Sequence, residues 1–331
     1  MAHHTLDEIE ALTFRALTAN GADAGPAREV ALAVREAEGF GNKICGLYYL
    51  ESYCLQLRSG RVDGKASPVV TRPRASLVHV DARFGFAQPA FAAGFPDACA
   101  AARETGVATL AIGHAHTCTS LGFFTRQIAQ TGLIGVGFTN ASPIVAAPGG
   151  KTRVIGTNPI AFSVPDGAGG VAMQFDQSTT TVALGKITMA KAAGEKIPLG
   201  WALDANGEPT TDPEAALAGS LVSIGGAKGW GFGIMAEILA AAMTGSVLSK
   251  DVKPLKAPKG APHDLGQYYV LIDPGASEAF PARLDALTTA VQEDDETRLP
   301  GQNKEELSEV YVDDALWAQL EALAAGPTPS A

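Results

Sequence analysis

Three polar loops carry the residue types that hold or move charged small molecules. Gly156-Thr157-Asn158-Pro159, preceded by Pro148-Gly149-Gly150, falls between strand-like segments. A turn of this kind presents backbone N–H groups and two short polar side chains at a strand end, where α/β proteins hold ligands. An ordinary tight turn would use the same residues. Gly225-Gly226-Ala227-Lys228-Gly229-Trp230-Gly231 runs into an apolar helix. Its free amides and the Lys228 charge suit a phosphate, unless the segment is only a flexible link. Phe175-Asp176-Gln177-Ser178-Thr179-Thr180 sets a carboxylate before a run of hydroxyls at a strand end. Such a run suits a ribose, an amide or a substrate, and equally a helix cap.

The other reactive side chains give less. Cys45, Cys54, Cys99 and Cys118 fall at no metal-ligand spacing and form no C-x-x-C pair, so they read as free thiols in a reducing cytosol, with no metal site. His116 is a candidate in a loop, His114 reads as structural, His79 lies in a predicted strand, and His263 belongs to a Lys- and Pro-rich excursion over 250–263. No G-x-G-x-x-G follows a strand and no G-x-x-x-x-G-K-[ST], H-E-x-x-H or G-x-S-x-G occurs, which removes the common nucleotide, zinc and serine-hydrolase signatures. The net charge of −10 with no basic run argues against nucleic acid or an anionic membrane as partner. No stretch reaches the ~20 apolar residues of a membrane helix, and residues 1–10 do not read as a signal peptide. A soluble cytoplasmic protein with a small-molecule partner is the expectation.

The 331 residues allow two domains or one elaborated α/β unit. Thr5 and Glu8 form a capping-box pattern that opens a helix with Ile9, Leu12 and Ala16 at helical spacing. A second helix starts near Pro26 and buries Val30, Ala31 and Val34. A third spans 48–59 and stops at Gly60. A strand over 107–112, a helix over 121–131 closed by Gly132, and a strand over 133–138 form a βαβ signature, which predicts a buried, mostly parallel sheet. Further strands are predicted at 75–80, 161–164, 171–175 and 268–272, with an apolar helix at 232–243 ending at Gly245 and a frayed tail after Ala325.

Taken together, the loops resemble the malate/L-lactate dehydrogenase type-2 oxidoreductases. The resemblance rests on Pro148-Gly149-Gly150 to Pro159, Asp204-x-x-Gly207-x-Pro209-Thr210-x-Asp212-Pro213, Gly226-x-Lys228-Gly229 and Arg298-Leu299-Pro300-Gly301, and it spans about Glu8 to Leu320. Ser59-Gly60-Arg61-Val62-Asp63-Gly64-Lys65-Ala66 and Gly85-Phe86-Ala87-Gln88-Pro89 look most like the reductases of Δ1-piperideine-2-carboxylate and Δ1-pyrroline-2-carboxylate. The resemblance implies a non-Rossmann α/β fold: a mixed sheet with helical N- and C-terminal parts, assembled as a homodimer. Residues 1–70 and 275–325 would form a helical substrate and dimer domain around an α/β NAD(P)-binding core at 71–274. NADPH or NADH, with NADPH preferred, would be held by Thr117, Ser120, Asn140, Gly156, Thr157, Asn158, Asp176, Ser178, Thr179, Lys228, Gly229 and Arg298. Arg126, Arg153 and Arg298 are the cations on offer to an NADP phosphate.

The sequence departs from the family where the proton donor is expected. A Ser-His-Gly segment falls on Ile44-Cys45-Gly46, a basic residue shortly after it is replaced by Tyr48, and a second histidine position holds Thr117 with His116 one place earlier. Cys45, Tyr48 and His116 are therefore the candidate catalytic groups. A positioned general acid contributes ~10²–10⁴-fold to rate. A ketone being reduced becomes an alkoxide and needs that proton, whereas a cyclic iminium arrives protonated. The expected reaction is thus reduction of a small cyclic 2-imino acid. The alternatives are a 2-oxo or 2-hydroxy acid dehydrogenase and a cofactor-binding relative without activity.

Overall fold

The computed structural model describes residues 2–326, so the tail expected to fray lies almost wholly outside the described residues. The helix Leu6–Ala19 opens on the capping box: Glu8 N donates to Thr5 Oγ1 at 3.2 Å and Thr5 N to Glu8 Oε2 at 2.8 Å. Its Ile9, Leu12 and Ala16 are fully buried against the helix Ala24–Gly39 and the C-terminal helix Asp314–Ala324. Strand Ala2–Thr5 pairs antiparallel with Glu309–Val312, so the two ends of the chain close one helical layer. Leu50–Ser59 completes that layer and stops at Gly60, whose φ of 72° gives the left-handed C-cap.

The large sheet runs in the order Val69–Arg74, Leu77–Asp81, Val107–Ala115, Leu265–Ile272, Ile134–Thr139, Ile160–Pro165, Val171–Gln177. The sheet is not mostly parallel. Leu265–Ile272 inserts between the two strands of the βαβ unit, antiparallel to both, and only Leu77–Asp81 with Val107–Ala115 is a parallel pair in this sheet. A late strand arriving from residue 265 leaves no local periodicity that betrays its place. Helices Ala87–Thr105 and Gly122–Gln130 cover one face, burying Phe91, Leu110, Phe124 and Tyr269; full burial of a large apolar side chain stabilises by about 1.5–3 kcal/mol. The other face meets the helix Ala227–Glu237 and the π-turn Ile238–Ala242.

A smaller sheet, Pro209–Thr210, Ala202–Leu203, Ser220–Leu221, Val145–Ala146 and Arg153–Ile155, stands beside the large one. Gly156-Thr157-Asn158-Pro159 is the turn by which the chain leaves Arg153–Ile155 and enters Ile160–Pro165. The apolar helix starts five residues earlier than the periodicity predicts. Gly225 and Gly226, at φ 62° and 64°, turn the chain so that Lys228 and Gly229 fall in its first turn.

Candidate active site

A small cavity of about 180 Å³ and a larger one of about 690 Å³ draw their linings in part from neighbouring stretches of chain, with Asn42 and Ser120 on the large one and Ile44, Cys45, Thr117, Cys118 and Thr119 on the small one. Cys45, Tyr49, Thr117, Thr157 and Leu255 are among the residues of the small one. Asn42, Ser120, Arg126, Asp176, Arg298 and Lys304 are among those of the large one. The wall of the small cavity is built in part by the turns Lys43–Cys45 and Leu47–Tyr49 and by the segment following Val107–Ala115.

The second of these turns is not part of the next helix, which starts at Leu50 rather than at 48 as predicted. The Glu38 carboxylate accepts from Leu47 N at 2.7 Å, and a Cβ on Gly46 would stand 2.2 Å from Glu38 Oε1. Gly46 takes φ −95°, ψ −134°, and the chain bends around the carboxylate. Tyr48 therefore faces outward, 59% exposed, with Lys256 Nζ 3.5 Å from its ring centre. Tyr49, which the sequence reasoning missed, is buried and lines the small cavity beside Cys45. Burial and then the nearby Asp176 push the Cys45 thiol up to about 12. Burial, followed by Cys45, raises the Tyr49 phenol above its ordinary value. Both are protonated donors at neutral pH.

His116 lies behind the wall rather than in it. It is 1% exposed, stacks on His263 at 3.9 Å between ring centres, and bonds Gln56 Oε1 through Nε2 at 2.5 Å. Gln56 Nε2 donates to the Leu255 and Ala257 carbonyls, so Oε1 accepts and the His116 proton sits on Nε2. Burial, then the charges of His263 and Arg61, depress its pKa, and it is neutral. His263 in turn accepts from Thr117 N at 3.2 Å. His114 pairs with Asp264 at 2.8 Å, and His79 Nε2 lies 3.5 Å from the Thr244 carbonyl.

The candidate cofactor residues divide between the two cavities. Ser120, Asp176 and Arg298 line the large one, and Thr117, Asn140 and Thr157 the small one. Asp176 opens onto the large cavity but is otherwise surrounded by protein. Burial raises its carboxyl against the backbone donors of Gly122, at 2.8 Å, and Leu121. Asn158, Ser178 and Thr179 stand behind and fix the loops: Thr179 N and Oγ1 both donate to the Thr157 carbonyl at 2.9 Å. Asn158 Nδ2 donates to Glu237 Oε2 at 2.7 Å, and Ser178 Oγ bonds Thr180 Oγ1. Gly156 packs on Ala141, Lys228 is exposed, and Gly229 is buried where a Cβ would stand 1.9 Å from the Ile224 carbonyl oxygen.

The large cavity offers three cations to an anionic ligand, beside the carboxylates of Glu36 and Asp176. Arg126, Arg298 and Lys304 line it, with Phe40 offering a ring under Arg126 at 3.9 Å and Lys304 at 5.8 Å. Arg126 also donates to Gln174 Oε1 and pairs with Glu36 at 3.4 Å. Burial lifts the Glu36 carboxyl to about 7 against the pull of Arg126. Arg153, the third cation on offer, is committed elsewhere, donating to the Gly219 and Leu217 carbonyls at 2.5 and 2.7 Å.

The chain is similar to known proteins over nearly its whole length. The sequence profile described as malate/L-lactate dehydrogenase matches residues 4–321. A (2R)-3-sulfolactate dehydrogenase (NADP(+)) of Chromohalobacter salexigens is 40% identical, over 92% of this chain and 91% of its own. A Δ1-pyrroline-2-carboxylate reductase of Ancylobacter novellus is 35% identical, over 98% of both chains. The crystal structure of Δ1-piperideine-2-carboxylate reductase from Pseudomonas syringae pathovar tomato superposes with a TM-score of 0.90 at 31% identity, covering 98% of this chain and all of that one.

Proposed function

The chain belongs to the malate/L-lactate dehydrogenase family of oxidoreductases, and on that footing we propose that it is an NADPH-dependent reductase of a small cyclic 2-imino carboxylic acid. One observation carries the choice of substrate. None of the residues lining the small cavity is a histidine or carboxylate, and its only ionisable groups are thiols and the Tyr49 phenol, held protonated by burial. No wall group thus titrates near neutrality, where general acids work best. A cyclic iminium needs no such group, because hydride addition to the protonated C=N bond yields a neutral amine.

Bound NADPH supplies the hydride. The chain's residues supply place and charge. Arg126, Arg298 and Lys304 support the preference for NADPH, since they offer cations to its additional phosphate. Asp176, close enough to Cys45 to raise its pKa, gives an iminium a nearby anion. Thr117 and Thr157 orient what enters the small cavity, and the buried rings of Tyr49 and Tyr53 keep water from that side. The 40% identity to a sulfolactate dehydrogenase supports a second reading, reduction of a 2-oxo acid with Tyr49 or Cys45 as donor.

Two further features bear on the setting. Phe232, Met235, Ile238 and Met243 leave an exposed apolar stripe on the helix and its π-turn, which supports pairing of two copies. All four cysteines are free, which supports a reducing compartment, and no helix among the described residues is long and apolar enough to cross a membrane. The test is the rate of NADPH and NADH oxidation with Δ1-pyrroline-2-carboxylate, Δ1-piperideine-2-carboxylate, pyruvate, oxaloacetate and sulfopyruvate. Turnover of an imine, faster with NADPH, is expected. Turnover of oxo acids alone would overturn the reading.

A further inference from the structure

The Lys- and Pro-rich segment at 250–263 is not a loose excursion. Arg61, 1% exposed, reaches into it: Nη1 donates to the Pro254 carbonyl at 2.8 Å and the Ala257 carbonyl at 2.6 Å, and Nε to the Ala261 carbonyl at 2.9 Å. Gln56 Nε2 donates to the Leu255 carbonyl at 2.6 Å and to that of Ala257 at 3.1 Å. The backbone is thus clamped on both sides of residue 256, and Leu255 forms part of the small cavity's wall. Lys256 Nζ stands 3.5 Å from the ring centre of Tyr48 and 5.1 Å from that of Tyr49, the latter itself a wall residue.

The cavity lacks a cation of its own: no Lys or Arg is among the residues that line it. A 2-imino acid brings a carboxylate that needs one, because an anion taken from water without a charged or hydrogen-bonding partner is costly. Lys256 has no carboxylate partner among the described residues, so its charge is free for a ligand. It is near enough to Cys45 to favour the thiolate, which independently puts its charge at that wall. Arg61 lies behind, its buried guanidinium paired only with carbonyls.

We propose that Lys256, held on the clamped strap at the mouth of the small cavity, binds the carboxylate of the substrate. The inference rests on the reading of the chain as a 2-imino acid reductase. Lys256 and Asp176 both lie near Cys45, so a zwitterion that carries an iminium and a carboxylate has a matching charge for each.

The test is titration calorimetry on the NADP⁺ complex with pyrrole-2-carboxylate, a planar acid that cannot be reduced, and with pyrrole-2-carboxamide as its uncharged counterpart. Lys256→Met keeps an apolar cover over the two rings, and Lys256→Arg keeps the charge. The methionine variant is expected to lose about tenfold in affinity for the acid, as befits one charge-assisted contact at a partly wet site. The arginine variant should retain most of the wild-type affinity, and all three proteins should bind the amide and NADP⁺ alike. Equal affinity of wild type and Lys256→Met for the acid would overturn the proposal. So would equal losses for acid and amide, which would make the lysine a packing residue, or a wild type that does not prefer the acid. Binding of the acid through Lys256 by a protein that reduces no imine would refute the reductase reading and leave the carboxylate site standing.

Discussion

Replacing Cys45 by histidine puts an imidazole where the small cavity has no group that titrates near neutrality. The site has room, with about 180 Å³ of cavity before the thiol. Burial at this position opposes protonation of an imidazole, and the same Asp176 that raises the Cys45 pKa favours it. The two opposed effects keep the new group able to exchange a proton near pH 7. A positioned acid is worth ~10²–10⁴-fold. At the lower end, kcat/KM for sulfopyruvate should rise about 100-fold in Cys45→His, close to 3 kcal/mol of barrier. The same substitution should move kcat/KM for Δ1-pyrroline-2-carboxylate less than about threefold, because the iminium brings its own proton. Cys45→Ala should be as mild on the imine. The assay is steady-state NADPH oxidation with both substrates, with NADPH affinity measured alongside to confirm an intact site. An unchanged oxo-acid rate in a variant that binds NADPH normally, or a hundredfold loss of imine turnover in Cys45→Ala, would refute the reasoning.

Further outcomes follow from the larger cavity. Glu36 titrates near 7 when folded against a reference value of 4.5, so the folded protein binds the extra proton between those values and loses stability as pH rises through them. Glu36→Gln removes that loss. Its full linkage value of roughly 3 kcal/mol is cut to about 1–2 kcal/mol because the side chain is 22% exposed and the Arg126 pair is given up. Thermal unfolding should therefore show the variant more stable than wild type at pH 8 and equal to it near pH 4; a gain of the same size at both would contradict the linkage. Arg298→Ala should raise KM for NADPH about tenfold and KM for NADH less than twofold, the signature of a lost phosphate contact. Equal changes for both cofactors would remove Arg298 from that role.

The elements that hold the site were largely legible, because each carries a local signal. The capping box at Thr5 and Glu8, the left-handed stop at Gly60 and the apolar strands at 107–115 and 134–139 depend on residues close in sequence. The sheet order was not, since the insertion of Leu265–Ile272 between those strands is a long-range event. The same division holds in the site. Ser120 and Arg298 sit in glycine- or hydroxyl-rich loops, Asp176 ends a strand that leads into a run of hydroxyls, and all three line the large cavity. Tyr49 was hidden by a helical register that a buried carboxylate, Glu38, interrupts at Gly46. His116 looked available from its loop and is instead packed between Tyr53, Phe86 and His263. Lys256 had no signal at all, because only the clamp from Arg61, nearly two hundred residues earlier, fixes it at the cavity.

The most direct test of the central claim is an internal competition. Equal concentrations of Δ1-pyrroline-2-carboxylate and sulfopyruvate are offered to the enzyme with limiting NADPH, and the products are quantified together. Their ratio reads the two kcat/KM values against each other in a single vessel. A site without an acid that titrates near neutrality predicts that proline dominates over sulfolactate. Sulfolactate in excess would contradict the account and make Tyr49 or Cys45 a working proton donor.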